Sequence, residues 1–212
     1  MAKPQKKITR AEQKAMRPRQ ILDAAFEAFS NNGFLATRVE DIAAKVGVTK
    51  GTVYVYYPTK EDLFEAVMQD ISVSFVSLIP EIDKLTGTCS EKLGSLIQLL
   101  YDRVIDDQHA SQLFRFLVSE GPRFPDMADR HHKMFVQPMV DRLQAIIDQG
   151  VASGEFRAGP STKMAEVVGG PAMMMCFWRT VFQGRQHLDI KEFSQAHVDL
   201  VIHSLTSHRD AT

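Results

Sequence analysis

Side chains able to do chemistry are plentiful in this chain of 212 residues, which carries 7 histidines, 2 cysteines and 26 aspartates and glutamates. Their spacing does not build an enzyme. The sequence holds no G-x-S-x-G nucleophile turn, no G-x-x-x-x-G-K-[ST] phosphate loop, no H-E-x-x-H zinc helix and no G-x-G-x-x-G dinucleotide turn. His131 and His132 are adjacent, so on a helix they diverge by about 100° and cannot grip one ion as an i, i+4 pair would. Cys89 and Cys176 make neither a C-x-x-C pair nor a zinc spacing, a usage that fits a reducing compartment without a disulfide framework. No catalytic residue, metal or cofactor is expected. The chemistry is concentrated in TKGTVYVYYPTK, residues 49–60. Its lysines, threonines and tyrosines are the groups that meet a nucleic-acid duplex: ammonium and hydroxyl groups for phosphate, lysine for guanine, and methyls for thymine.

Such a run works only on a short helix braced by another. Val39, Ile42, Ala43 and Val46 recur at three- and four-residue spacing, predicting a helix of about two turns with Thr37 or Arg38 at its start. Gly47 supplies a left-handed ending, Thr49 an N-cap for a second helix through Tyr56 or Tyr57, and Pro58 its close. Helix, glycine turn and helix outline a helix-turn-helix. On the second helix Val53 and Tyr57 share the inner face, while Gly51, Thr52 and Val55 point the opposite way. That small outward face suits close insertion into a major groove, with Lys50 in the first turn able to reach guanine or phosphate. Tyr54 and Tyr56 lie on the flanks, either toward the groove walls or as ordinary half-buried aromatics. A preceding helix starting at Pro18 and ending at Gly33 provides the floor, with Phe26, Phe29 and Phe34 as core. Lys60 opens a longer helix carrying Leu63, Phe64, Val67, Met68 and Ile71 to about Pro80.

From about Arg19 to Val67, the motifs AAFEAFSNNGF, T-x-x-x-DIA and GVTKGTVYVYY-x-x-K resemble the DNA-binding domain of the TetR/AcrR family of bacterial repressors. The resemblance implies that Thr37, Lys50, Thr52, Tyr54, Tyr56 and Lys60 contact DNA. With Arg38, Thr49, Gly51 and Val55 they make up the expected DNA-binding set. Tyr56 stands where the family often has histidine, and Val55 where it often has a larger or more polar residue, which bears on the operator sequence. The segment LFRFLVSEGPRFPDMADRHHKMF, continuing to GVASGEFR, is similar to a C-terminal regulatory domain of the same family.

The formal charge of −1 hides a split, because residues 1–60 hold 11 basic and 5 acidic side chains. A basic head on an acidic body fits contact with nucleic acid at one end. The expected organisation is a basic flexible arm (1–16), a helix-turn-helix domain (17–62) and a helical regulatory and dimerisation domain (63–212). The arm either lies along phosphates or reaches the minor groove, or it is only a solubilising tail. No secretory signal is seen at the N-terminus. The uncharged stretch VVGGPAMMMCFW, residues 167–178, falls short of the ~20 residues a membrane helix needs, so it reads as a core helix. A cytoplasmic protein with no membrane partner is expected.

The body reads as helices throughout, giving an all-α chain of about nine helices: a three-helix head joined to a larger helical ligand-binding and dimerisation domain. Thr88 with Glu91, and Asp189 with Glu192, are capping arrangements. One helix is expected from 110 to 119, a long one from 126 to 153 kinked at Pro138, one from 162 to 183 disturbed at Pro171, and a last one from 190 to 205. Phe114, Phe116, Phe135, Met164, Met174, Met175 and Trp178 could line an adaptable apolar cavity or simply fill the core. Phe177, Val181, Val198, Val201, Ile202 and Leu205 are candidates for the four-helix dimer interface that the resemblance implies. The expected function is a homodimeric, ligand-responsive repressor of a palindromic double-stranded DNA operator, with a small apolar or amphipathic effector. Two alternatives stay open: an activator or partner-controlled regulator, and a helical small-molecule-binding protein or enzyme whose head no longer binds DNA.

Overall fold

A computed structural model describes residues 10–76, 78–105, 108–182, 185–186 and 188–206. Most of the expected basic arm, residues 1–9, lies outside them. Among the described residues there are eleven α-helices and no strand. The increase over nine comes from a short helix, Ile79–Ile82, and from the division of the long helix near Pro138.

The chain forms two compact units, the first ending at Asp70 and the second starting at Ile71. The first holds α1 (Arg10–Ala36), α2 (Val39–Val46), α3 (Lys50–Tyr56) and the opening turns of α4 (Lys60–Val76). Helix α1 begins eight residues before Pro18, which corrects both the expected start and the reading of residues 10–16 as a flexible arm. The added residues, RAEQKAMR, are strong helix formers and carry the helix back past Pro18, which lies inside α1 and not at its first turn. Gly33 interrupts α1 at φ 74°, ψ 173°, a conformation open to glycine. The boundary lies beyond the expected residue 62 because Leu63 and Phe64 are fully buried. The Phe64 ring meets Phe29 and Phe34, each at 5.1 Å between centroids. Phe26 is only half-buried.

The second unit contains α5 (Ile79–Ile82), α6 (Cys89–Leu100), α7 (Gln108–Glu120), α8 (Pro125–His131), α9 (Gln137–Ser153), α10 (Ala165–Phe182) and α11 (Ile190–Leu205). Helix α6 packs on α9 and α11, and α10 on α7, α9 and α11. Thr88 and Glu91 form the expected capping box, and Asp189 accepts from the Glu192 amide at 3.0 Å. Residues 132–136 form a π turn between α8 and α9, immediately before Pro138. A proline ring clashes with the carbonyl four residues back, and a widened turn relieves that clash. Helix α10 starts three residues later than expected, because residues 160–162 close a separate 3-10 turn, and it continues through Pro171.

The core of this unit encloses His197, which is 3% exposed. Its Nδ1 lies 3.0 Å from the Tyr101 hydroxyl and its Nε2 2.8 Å from the Val168 carbonyl. The neutral imidazole satisfies both, with Nε2–H donating to Val168 and Nδ1 accepting from Tyr101. Burial lowers the imidazole pKa and raises that of the phenol.

Candidate nucleic-acid interface

Helix α3 is held by local chemistry at both ends. Gly47 ends α2 in the left-handed region at φ 74°, ψ 39°, and the Val48 amide returns to the Ala43 carbonyl at 2.9 Å. Thr49 then accepts at Oγ1 from the Thr52 amide at 3.2 Å, satisfying an otherwise orphaned donor of the first turn. Val53 is fully buried beneath α3, and the Tyr57 hydroxyl donates to the Pro18 carbonyl at 3.4 Å. On the far side Val55 is 79% exposed and Gly51 is open, while Thr52, Tyr54 and Tyr56 are half-buried at the edges. The division into an inner anchor and an outer face matches the wheel read from sequence for Val53, Gly51 and Val55, but Thr52, expected on the outer face, is half-buried with its hydroxyl 3.0 Å from that of Thr49. Thr49, Lys50 and Arg38 are all exposed.

Thr37 requires a correction. Its side chain is 3% exposed, and its hydroxyl donates toward the Gly33 carbonyl at 2.7 Å and the Ala28 carbonyl at 3.1 Å. A hydroxyl committed to two carbonyls inside the head is an anchor for the start of α2, not a free DNA contact. Arg38, the N-cap residue of α2 in extended conformation, makes no capping bond with its side chain. Lys60 is half-buried; its ammonium donates to the Leu35 carbonyl at 3.2 Å and lies 4.6 Å over the Phe34 ring.

Several partners in the head were not apparent from the sequence. Lys50 Nζ meets Glu40 Oε1 at 2.7 Å and sits 5.5 Å from the Tyr54 ring centre. That hydrogen bond is the main reason the Lys50 pKa is raised and the Glu40 pKa lowered. Lys45 pairs with Glu27, and Arg19 with Asp23 and Asp70. Arg19 and Asp23 stand at the i, i+4 spacing of a helical ion pair, but no helical spacing rule joins residues ten or more positions apart, so the other three pairs have no sequence signal. Thr59 and Asp62 are different: their reciprocal side chain to amide bonds, both 3.0 Å, follow the capping-box pattern that T-x-x-D displays.

The candidate residues of the body divide by exposure. Phe116, Phe135 and Met175 are buried, and Phe114 is half-buried. Trp178 is half-buried with its Nε1 enclosed and unpartnered. Met164 and Met174 are 55% and 48% exposed, so they do not line an interior cavity with the others. Of the residues considered for dimerisation, Phe177 and Val181 are exposed on α10, whereas Val201 and Leu205 are buried within their own chain and unavailable to a partner. Val198 and Ile202 line a groove of about 680 Å³ beside α6. The apolar spacing on α11 could not separate an inner from an outer face, because both carry aliphatic residues. Among the described residues no helix is long and apolar enough to cross a membrane.

A braced short helix with an open, small-residue face, backed by a larger helical unit, defines a helix-turn-helix DNA-binding regulator. Residues 21–67 match the family of bacterial regulatory proteins called the tetR family, and residues 86–201 match a tetracyclin repressor-like C-terminal domain. The chain belongs to the TetR family of transcription regulators and is not an enzyme. It is 25% identical over 154 residues to the fatty acid metabolism regulator protein of Bacillus subtilis, covering 73% of this chain and 78% of that protein. It is 30% identical over 149 residues to the transcriptional repressor KstR2 of Mycolicibacterium smegmatis, covering 68% and 70%. The structure of the regulator FadR from Bacillus subtilis in complex with stearoyl-CoA is similar at a TM-score of 0.68 and 23% identity, covering 88% of this chain and 98% of that one.

Proposed function

We propose that this regulator is a homodimeric repressor released from its operator by an amphipathic effector with a long apolar portion. The observation that carries the DNA-reading part is the face of α3, where Val55 is 79% exposed opposite a fully buried Val53. Two such heads related by a two-fold axis suit successive major grooves of a palindromic site. Lys50, Thr52, Tyr54, Val55 and Tyr56 read or grip the DNA, with Arg38 and Lys60 adding positive charge at the margins.

Dimerisation is supported by α10. Val167, Met173, Met174, Phe177 and Val181 are all exposed and fall within about a third of the helix circumference. The opposite face, with Ala165, Val168, Ala172 and Met175, is buried. An apolar face of that length left to water is what a second subunit would cover. The effector class is supported by the named relatives: a fatty acid metabolism regulator, and a regulator crystallised with stearoyl-CoA. Helix α4 enters both units and is the element through which an effector in the body would bias the head, by about 1–3 kcal/mol for a typical coupling.

The test is direct binding of the full chain to its own upstream DNA at stated salt. Replacing Lys50, Tyr54 and Tyr56 together with alanine is expected to weaken binding by about a hundredfold or more. An unchanged affinity would exclude α3 as the reading helix. A panel of long-chain acyl-CoA esters should lower operator affinity of the unmodified chain. Operator affinity that stays constant across the panel excludes this effector class.

A further inference from the structure

We propose that Glu40 is a specificity-determining residue of the head, a carboxylate that holds the Lys50 ammonium and penalises its use on the DNA backbone. Glu40 is the second residue of α2 and Lys50 the first of α3. The turn between the two helices brings them together at 2.7 Å. Their side chains are 53% and 46% exposed, so the pair lies in water, where opening it costs little. The Tyr54 ring beside the ammonium keeps Lys50 on the flank of α3.

The asymmetry arises from what DNA offers. A phosphate is an anion that only accepts hydrogen bonds, as Glu40 is. Lys50 moved onto phosphate leaves Glu40 unpaired beside a polyanion, with two like charges close together. The O6 and N7 edge of guanine also accepts hydrogen bonds but carries no net charge. Lys50 can reach such an edge without setting Glu40 against another negative group. The carboxylate stays ionised at neutral pH, because the Lys50 hydrogen bond and a second from its own backbone amide both lower its pKa. Glu40 thus suppresses sequence-independent binding more than it suppresses binding to a matched site. The other tied cations of the head supply a contrast, since the Lys45–Glu27 pair joins α1 and α2 and involves no residue of α3.

The proposal rests on α3 being the helix that reads DNA. The experiment uses the full chain, a duplex that it selects from random sequence, and a scrambled duplex, each titrated with salt. Glu40→Gln should raise affinity for the scrambled duplex by about two- to fivefold and steepen its salt dependence by about one ion per head. The matched duplex should change less, so the specificity ratio falls. In a Lys50→Ala background, Glu40→Gln should lose this effect on salt dependence. Glu27→Gln removes the same charge elsewhere and should leave the ratio in place. An unchanged ratio, an equal shift from Glu27→Gln, or an undiminished effect without Lys50 would each overturn the role of Glu40 while leaving α3 as the reader. A parent chain that selects no sequence at all would overturn both. An effect on the urea midpoint with no change in salt dependence would make Glu40 merely structural and sink the proposal.

Discussion

Thr37 in the head and His197 in the body are both buried polar side chains with two partners each, yet they tie together very different stretches of chain. The Thr37 hydroxyl reaches carbonyls four and nine residues back, at Gly33 and Ala28. The His197 ring reaches across 29 and 96 residues, to Val168 and Tyr101. One anchor sets a local corner so that a seven-residue helix can keep its outer face free. The other cross-links three elements of a core. The head is thus built from short-range decisions, while the body depends on long-range fit.

That contrast is tested most severely at two glycines. A Cβ placed on Gly150 of α9 would lie 2.1 Å from Phe156 Cδ2, inside a site where Phe156 is 2% exposed. Gly150→Ala is expected to cost about 3 kcal/mol or more, because the ring has nowhere to move in a close-packed core. Gly51 of α3 would bring its Cβ only to 3.8 Å from Thr49 Oγ1. Gly51→Ala should therefore stabilise the fold, by up to about 1 kcal/mol from helix propensity. Urea unfolding of the two variants measures both. A Gly150→Ala protein as stable as its parent would break the claim that the body depends on long-range fit.

The histidine anchor predicts a pH dependence. Burial holds the folded-state pKa of His197 below its ordinary value of about 6.5. Above that value the ring is neutral in both states and stability is unaffected. As pH falls below it, the unfolded chain takes up a proton that the folded chain does not, so stability is lost progressively down to the folded-state pKa. His131, also lowered by burial and hydrogen-bonded at Nδ1 to Ser72 at 3.0 Å, adds in the same direction. Tyr101→Phe should cost about 1–3 kcal/mol at neutral pH by leaving Nδ1 buried without a donor. His197→Gln should flatten the acid limb of the stability curve. A limb of unaltered slope would assign the titration elsewhere.

The same division explains how much could be read in advance. Gly47, Thr49, Val53 and the Thr88 capping box announce themselves within windows of four or five residues, and the structure has them as expected. The inner and outer faces of α3 were legible because only one residue, Val53, is buried along it. On α11 the aliphatic pattern was visible but its direction was not. Val201 and Leu205 turn inward while Leu200 is 64% exposed, and only the position of α6 and α10 decides between them. The seat of Phe156 against Gly150 depends on the left-handed turn at Gly154 and on the Arg157 amide bonding to the Leu205 carbonyl at 2.8 Å. Nothing in either segment alone declares that match. Thr37 shows the limit of motif transfer: its position fits the family pattern, but its hydroxyl is already used.

A smaller effect is expected at Thr37. Thr37→Ala removes a buried donor to two carbonyls and should cost about 1–2 kcal/mol of stability. Thr37→Ser keeps the hydroxyl and should retain most of it. If alanine weakens operator binding while the unfolding midpoint stays fixed, the residue touches DNA directly and the anchor assignment fails.

The smallest change in stability belongs to Val55, and it isolates reading from folding. With 79% of the side chain exposed, Val55→Ala should leave stability within about 0.5 kcal/mol. Its effect should appear instead in sequence preference, because a valine methyl against a thymine methyl is lost, at a cost of about 1 kcal/mol on the matched site only. Lys60→Ala provides the opposing case. Its ammonium is held by the Leu35 carbonyl and the Phe34 ring at the start of α4, so it adds charge without facing bases. Its loss should weaken matched and scrambled duplexes alike and reduce the salt dependence. Selection of bound DNA with each variant separates the two outcomes. If Val55→Ala and Lys60→Ala shift matched and scrambled affinities by the same factor, the outward face of α3 grips the backbone, and specificity must come from DNA shape.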